Sequence, residues 1–257
     1  MSARNSPPSH AIDISEEAGV RYLHFGSSWV QGAMRIARPW SLELSYTREM
    51  MAGLLMRPSA RWPRKVLLIG LGAGSLAKFL YRYFPDCRIS VVEINPQVEF
   101  IARQYFKLPD DPLRFAIRIG CGADYVQTAQ GHFDLILTDG FDADGHSGPL
   151  ESESFFQNCR ARLTPDGLLG VNLLREKGFQ QRVDRIHRAF EGQGVVFPSC
   201  DSGNTIVFAR GDTPVGAALE SMRTRADEIR KSCRLDLRPT ITRLQLALPL
   251  PDGCLRF

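Results

Sequence analysis

From residue 66 onward, short apolar runs alternate with longer segments whose apolar residues recur at helical spacing. The first of these segments places Leu76, Phe79, Leu80 and Tyr83 on one face of a helix. The alternation predicts a βα repeat, and strands that are apolar throughout are typical of a parallel sheet covered on both faces. The predicted parallel strands are Val66–Ile69, Ile89–Val92, Phe115–Ile119, Phe133–Thr138 and Leu168–Leu173.

Both ends of this repeat depart from the alternation. Val195–Phe197 and Thr205–Phe208 are separated by a polar turn and predict a C-terminal antiparallel hairpin, which completes a mostly parallel, seven-stranded α/β sheet. A small N-terminal hairpin is predicted at Val20–Phe25 and Trp29–Ile36, followed by a helix over Tyr46–Met56. After the sheet, a helix is predicted with an apolar stripe of Val215, Leu219, Met222, Ala226 and Ile229.

These elements divide the chain into four expected parts. Residues 1–13 are polar and are expected to form a flexible arm, and residues 14–60 form a flap that is too short to bury a core of its own. Residues 61–232 form a Rossmann-like nucleoside-binding catalytic domain. For the tail, 233–257, an edge strand, a docking arm and an oligomer contact all remain open.

A glycine-rich turn directly follows the first parallel strand and opens a helix near Ser75. Gly70, Gly72 and Gly74 allow positive φ angles and close approach of the backbone to a ligand, and the helix start favours an anionic or hydroxyl-rich group. Glu93 ends the second strand, where a carboxylate can accept hydrogen bonds from ribose hydroxyls. The combination indicates a nucleoside site. Because Ser75 stands where a dinucleotide fingerprint requires glycine, an adenosyl ligand is favoured over a nicotinamide cofactor.

The loop after the fourth strand carries three carboxylates, Asp139, Asp142 and Asp144, and one histidine, His146. Because the carboxyl ends of parallel strands face one crevice, this loop is expected to face the same crevice as the glycine turn. Such acids attract a cationic substrate or accept a proton, and a Mg²⁺ or Ca²⁺ site and an ordinary polar loop remain alternatives. His146 is interpreted either as a general acid or base or as a surface histidine.

Composition narrows the class of protein. The 257 residues are 44% apolar and 23% charged, which excludes disorder over most of the chain. The net charge of +4 is too small to indicate nucleic-acid binding, and the apolar runs are too short to predict a membrane span. The six cysteines form no Cys-x-x-Cys pair, which favours reduced thiols in a cytoplasmic protein and argues against a metal site.

Three segments carry a pattern found in a known family: VLLIGLGAGSLAKFL, VVEINPQV, and FDLILTDGFDADG with the following RARLTPDGLLGVNL. They resemble the spermidine synthase family of polyamine aminopropyltransferases, within the wider class I methyltransferase-like fold. The resemblance extends over about Val20 to Arg210. It implies transfer of an aminopropyl group from decarboxylated S-adenosylmethionine to a small-molecule amine, with release of methylthioadenosine and no metal, and it implies a homodimer.

The resemblance also assigns roles to residues of this chain. It implies that Asp139 positions or deprotonates the attacking amine and that Asp142 is the second acid of the pair. Tyr46 and Asp144 are assigned to the amine substrate. The cofactor-binding set is Gly70, Gly72, Gly74, Glu93, Cys121, Gly122 and Gln31.

Three departures from the family pattern keep other functions open. Ala73 stands where the family has an aspartate that holds the donor amine, and Cys121 stands where it has an aspartate near the adenine. Thr47 and Arg48 follow Tyr46 where the family tends to have histidine and glutamate. The alternatives are a methyltransferase that uses S-adenosylmethionine on an unknown small molecule, and a non-catalytic adenosyl-binding or assembly module.

Overall fold

The computed structural model describes residues 11–26, 29–57, 59, 61–142, 145–200 and 203–257. Its centre is a seven-stranded sheet in the order β6-β5-β4-β7-β8-β10-β9. The first five strands in that order run parallel, and β10 is antiparallel to both β8 and β9. The predicted α/β fold and its C-terminal hairpin are confirmed. The strands are β4 (Lys65–Ile69), β5 (Arg88–Glu93), β6 (Phe115–Ile119), β7 (Phe133–Thr138), β8 (Leu163–Leu174), β9 (Gly194–Val196) and β10 (Asn204–Arg210).

Helices cover both faces of this sheet and bury two apolar clusters against it. The clusters explain why the strands are apolar throughout, since each strand packs on both sides. One helix start follows the expected capping pattern: Asn95 Oδ1 accepts a hydrogen bond from the Gln97 N–H, and Pro96 occupies the first turn. The helices that flank the sheet are α3 (Ser75–Tyr83), α4 (Pro96–Tyr105), α5 (Gly122–Thr128), α6 (Glu153–Ala161) and α7 (Phe179–Ala189).

The N-terminal part is a three-stranded antiparallel sheet followed by two short helices. The predicted hairpin is present as β2 (Val20–Phe25) and β3 (Val30–Arg35), and β1 (Ile12–Glu17) adds a strand that begins within the expected arm. In β1 only Ile12 and Ile14 are partly buried, so the apolar alternation is too short to predict a strand. The single helix predicted over Tyr46–Met56 is wrong: a turn at Met51 and Ala52 divides it into α1 (Ser45–Met50) and α2 (Gly53–Met56).

The C-terminal part packs back onto the body of the protein. β11 (Gly216–Ala218) pairs with β12 (Cys254–Arg256), and between them lie α8 (Leu219–Cys233) and α9 (Arg238–Ala247). The prediction that Val215 belongs to the helical stripe is therefore wrong, because pairing with β12 keeps 216–218 extended; Val215 is nevertheless buried. Within the described ranges, no helix is both long and apolar enough to cross a membrane.

Candidate active site

One cavity of about 1130 Å³ opens at the carboxyl ends of the parallel strands, where the sequence placed the site. Asp144 lies outside the described residues, and Gly74 is not part of the cavity wall. The structure brings the other site residues together around this space: Gln31, Tyr46, Gly70, Gly72, Glu93, Cys121, Gly122, Asp139 and Asp142.

Gly70 follows β4 and lies against the backbone of Asp139, the residue after β7. The Gly70 N–H donates to the Val92 carbonyl, and the Asp139 N–H donates to the Ile69 carbonyl at 2.8 Å. Gly70 has a φ of +97°, and a Cβ there would lie 2.2 Å from the Asp139 carbonyl oxygen. Glycine is thus required at this position so that β4 and β7 can end side by side.

Gly74 is the last glycine of the turn, and local structure already requires glycine there. It precedes α3 with a φ of +66°, and a Cβ there would lie 2.2 Å from Leu108 Cδ2. The backbone conformation and the packing of Leu108 therefore require glycine here. Its role in the cofactor turn stays a prediction.

Glu93 anchors the glycine turn from the end of β5. Its Oε2 accepts the Leu71 N–H and its Oε1 accepts the Asn95 N–H, each at 2.9 Å, and the residue is 7% exposed. Burial raises the pKa of Glu93, while the backbone N–H groups of Asn95, Leu71 and Ile94 act in the opposite direction. Because each carboxylate oxygen can accept a second hydrogen bond, Glu93 can serve both the turn and a ribose.

The turn after β6 forms the neighbouring wall. The Gly120 N–H donates to the Glu93 carbonyl at 2.8 Å, and Cys121 then precedes α5. A Cβ on Gly122 would lie 2.4 Å from Ile69 Cγ2, so this glycine lets the start of α5 approach β4. Ile94, which the sequence analysis did not single out, also lines the cavity and is 55% exposed. These residues offer an apolar wall beside Glu93, as an adenine ring requires.

Asp139 follows β7 and is held by two neutral donors. Asn172 Nδ2 donates to Asp139 Oδ1 at 2.8 Å, and the Tyr46 hydroxyl forms a second hydrogen bond to the carboxylate. Burial raises the pKa of Asp139, and the two hydrogen bonds oppose that effect. Burial and the charge of Asp139 raise the pKa of Tyr46 well above its usual value, so the phenol remains a donor.

Asn172 and Asn204 are site residues that the sequence analysis missed. Both line the cavity and are buried, and Asn204 Nδ2 donates to Asn172 Oδ1 at 2.9 Å. The available signal for Asn172 was its position as a polar residue inside an apolar strand. For Asn204 no comparable signal exists, because asparagine is common in turns.

Asp142 belongs to the loop rather than to the enclosed part of the cavity. Its Oδ1 accepts the His146 N–H at 2.8 Å, its own N–H donates to the His146 carbonyl, and its side chain is 50% exposed. The His146 side chain is 75% exposed, as the surface interpretation expects. Asp142 therefore shapes the loop at the mouth of the cavity.

Two parts of the chain meet at this mouth. A Cβ on Gly145 would lie 3.1 Å from Trp29 Cζ3 and 3.3 Å from Leu174 Cδ1. Trp29, which directly precedes β3, thus lies against Gly145. Arg175 and Glu176, both exposed, add one charge of each sign to the cavity wall.

Ala73 has apolar surroundings at the position where the resemblance implies an aspartate. It is 2% exposed and clusters with Leu23, Met34 and Phe106. A donor amine near this turn would therefore meet no carboxylate from residue 73. Among the residues that the structure describes, no group of three or more His, Cys, Asp or Glu side chains is arranged to hold a metal ion.

Comparison of the sequence with known proteins identifies the family of this chain. The family model described as the spermine/spermidine synthase domain matches residues 43–197. A polyamine aminopropyltransferase of Chromobacterium violaceum is 38% identical over 235 residues, which cover 91% of this chain and 89% of that protein. The chain belongs to the spermine/spermidine synthase family. The resemblance noted in the sequence is confirmed.

Solved structures agree with the fold of this family. A spermidine synthase in complex with the transition state analogue AdoDATO has a TM-score of 0.65 at 22% identity, covering 93% of this chain and 86% of that one. Human methyltransferase-like protein 13 in complex with SAH has a TM-score of 0.66 at 27% identity, covering 74% of this chain and 93% of that one. The class I methyltransferase-like fold predicted from the sequence is confirmed.

Proposed function

We propose that this protein is a polyamine aminopropyltransferase that moves an aminopropyl group from decarboxylated S-adenosylmethionine to a small amine. The observation that carries the proposal is Asp139, held by Tyr46 and Asn172 in the same cavity as Glu93 and the glycine turn. A site that combines a nucleoside-binding end with a fixed carboxylate suits a reaction between an adenosyl donor and an amine. Membership of the family supports the same class of transferase.

In the proposed reaction, the amine nitrogen attacks the carbon beside the donor sulfonium. The new C–N bond forms as the C–S bond breaks, the sulfur keeps the electron pair, and methylthioadenosine leaves. The proton that the amine loses passes to Asp139. Because the sulfonium is already a good leaving group, alignment of the amine and acceptance of its proton are the main contributions left to the protein.

Charge around the cavity supports a cationic ligand. Among the described residues that line it, four carry a carboxylate and one is an arginine: Glu93, Asp139, Asp142, Glu176 and Arg175. The wall is therefore acidic in a chain whose net charge is +4. A cavity of this sign raises the local concentration of an amine or a sulfonium.

The test is calorimetry with S-adenosylmethionine, its decarboxylated form and methylthioadenosine, followed by product analysis with putrescine and other amines. We expect the decarboxylated donor to bind and methylthioadenosine to appear together with an aminopropylated amine. Preferential binding of the carboxylated donor together with methylated products would overturn the proposal in favour of a methyltransferase. Binding without any product from any amine would favour an adenosyl-binding module.

Three further features stay predictions. A homodimer and a cytoplasmic location are expected, the first from family analogy and the second from the cysteine pattern. The reaction is expected to need no metal, which activity measured in the presence of a chelator will test.

A further inference from the structure

Two buried side-chain amides lie behind Asp139 on neighbouring antiparallel strands. Asn172 on β8 is 3% exposed and Asn204 at the start of β10 is 7% exposed. Asn204 is paired with Leu174, and Asn172 with Ile206, so the two asparagines lie diagonally on the same face of the sheet. Their amides connect in line, Asn204 Nδ2 to Asn172 Oδ1 at 2.9 Å and Asn172 Nδ2 to Asp139 Oδ1 at 2.8 Å.

The chemistry of these groups fixes the direction of the chain of hydrogen bonds. An ionised carboxylate only accepts hydrogen bonds, so Asn172 must present its nitrogen to Asp139 and its oxygen away from it. That buried oxygen then requires a donor, which the nitrogen of Asn204 supplies. An acceptor at position 204 would favour the opposite orientation of the Asn172 amide and would turn its oxygen toward Asp139.

Stability alone does not account for two amides at these positions. The same face of these strands carries Leu168, Ile206 and Phe208, all fully buried and apolar. Buried amides cost free energy to desolvate, and apolar side chains of similar size can replace a hydrogen-bonded pair at little or no cost. Packing stability therefore does not explain why asparagine occupies both positions.

We propose that Asn204 and Asn172 form a directional amide relay that fixes the carboxylate of Asp139 in its ionised form, with both asparagines acting as positioning residues. The proposal rests on the proposed function, in which Asp139 accepts the proton of the amine. The backbone of Asn204 is itself held in place, since its carbonyl accepts the Ser199 hydroxyl at 2.9 Å. The relay thus extends from the β9–β10 turn to the reacting end of the cavity.

Other groups that face Asp139 must be separated from the relay. Tyr46 on α1 and Asn172 on β8 form the direct hydrogen bonds, and both lower the pKa of Asp139 against the effect of burial. Among the described residues, the other charged or titratable side chains that line the cavity come from the end of β5, the turn after β6, the loop after β7 and the segment after β8: Glu93, Cys121, Asp142, His146, Arg175 and Glu176. None of these is changed in the variants below.

Two variants interrupt the relay in different ways. Asn204→Asp replaces the donor by an acceptor at nearly constant volume, and Asn172→Leu removes the donor to Asp139 without adding a charge. Because Asn204→Asp also adds a negative charge, a shift caused by charge alone would be absent in Asn172→Leu. The matched control is Thr205→Val, which changes a buried residue that follows Asn204 and lies on the opposite face of β10.

The first measurement does not depend on activity. The Asp139 carboxyl carbon is followed by ¹³C NMR as a function of pH, and its signal is assigned by its loss in Asp139→Asn. In both relay variants we expect the midpoint to rise by about one pH unit, because a hydrogen bond to a charged group is worth roughly tenfold in an ionisation equilibrium. The midpoint in Thr205→Val should equal that of the wild type.

The second measurement is the pH profile of kcat/KM with decarboxylated S-adenosylmethionine and putrescine. We expect its acid limb to move to higher pH in both relay variants, with kcat reduced and methylthioadenosine affinity unchanged. The relay is overturned if the Asp139 titration midpoints and the kcat/KM pH profiles of both variants equal those of the wild type. The same conclusion holds if the variants differ from the wild type only in urea unfolding. If the wild type transfers no aminopropyl group, the proposed function fails, and the NMR titration still decides the relay.

Discussion

At the scale of single residues, Asp139 and Asp142 differ more than their spacing suggests. Asp139 is partly buried and held by Tyr46 and Asn172, whereas Asp142 is half exposed and accepts the His146 N–H within its loop. The two carboxylates that the family pattern presents as a pair therefore have separate structural roles. Substitution of each aspartate by asparagine should therefore change kcat/KM by different amounts.

Asp139→Asn removes the proposed proton acceptor and should lower kcat/KM by roughly 10²–10⁴-fold. In the wild type the rate should fall in acid with a midpoint above the usual aspartate value of about 3.9, since burial raises the pKa of Asp139. Steady-state kinetics between about pH 4 and pH 8, a range that begins at the usual aspartate value, will check both.

Asp142→Asn is the matched comparison. Asparagine keeps an oxygen that can accept the His146 N–H, so the loop should retain its conformation. The loss in kcat/KM should be less than about tenfold, the equivalent of roughly 1.4 kcal/mol. If the loss equals that of Asp139→Asn, Asp142 acts directly on the substrate and its assignment to the loop is wrong.

Glu93 supports the glycine turn through both oxygens, so Glu93→Gln places an NH₂ group against a backbone N–H. The affinity for methylthioadenosine should fall by about tenfold or more, since a hydrogen bond to a charged group is worth roughly 1.5–3 kcal/mol. Calorimetry checks this, with Glu99→Gln on the surface of α4 as control. Equal affinities for the two variants would show that Glu93 does not hold the nucleoside.

Lys78 on α3 is fully buried and donates to the Phe106 carbonyl at 2.8 Å. Burial, with a smaller effect of Lys107, lowers its pKa to about 7. Between pH 7 and the usual lysine value of about 10.4, the unfolded chain binds a proton that the folded protein does not. The free energy of unfolding should therefore gain from this group as pH rises through that window, by up to about 1.4 kcal/mol per pH unit.

Lys78→Met should abolish this contribution, so the variant gains stability relative to the wild type at pH 6 and loses that advantage toward pH 10. Urea unfolding at several pH values measures the difference. Lys231→Met, on the exposed face of α8, is the control and should leave the slope with pH unchanged. A Lys78→Met slope identical to that of the wild type would contradict the lowered pKa.

At the scale of elements, the C-terminal helix α9 holds α1 through a buried acid. Glu49 is 2% exposed, its Oε2 accepts the Thr240 hydroxyl at 2.8 Å, and it forms an ion pair with Arg243. Tyr46 lies one turn before Glu49 on α1. The tail thus supports the helix that places a phenol on Asp139.

Arg243→Met should destabilise the protein by about 3 kcal/mol, because it takes the guanidinium away from a buried carboxylate. Adding Glu49→Gln should recover much of that loss, since the double variant no longer buries the charge. Urea unfolding of both variants tests this. Arg256→Met removes an exposed pair with Asp252 and should change the free energy of unfolding by less than about 1 kcal/mol. Equal effects of Arg243→Met and Arg256→Met would show that the Glu49–Arg243 pair does not hold α9 against α1.

At the scale of the whole molecule, charge is distributed unevenly. The chain as a whole carries +4, while carboxylates outnumber cations among the described residues of the cavity wall. A cationic amine should consequently bind more weakly as salt rises, because exposed charges are screened over about 10 Å at 0.1 M ionic strength. KM for the amine should therefore increase from low to high salt. A KM that is independent of salt would show that the acidic wall does not attract the amine.

Local sequence determined most of the secondary structure, the place of the site and the family. Strands and helices followed from apolar periodicity, because each strand of the central sheet is buried on both faces and each helix on one. The glycine turn, Glu93 and Asp139 could be located because the carboxyl ends of parallel strands must meet at one crevice. The family could be identified from the same segments.

Only the tertiary structure decided the rest, since it depends on contacts between residues distant in sequence. Asn172 and Asn204 reach Asp139 across strands, Glu49 meets Arg243 from the opposite end of the chain, and 216–218 is extended only because β12 lies beside it. Periodicity reports which face of an element is buried, but it does not report which side chain it is buried against. The nucleoside site was therefore visible in the sequence, and the surroundings that fix its carboxylate were not.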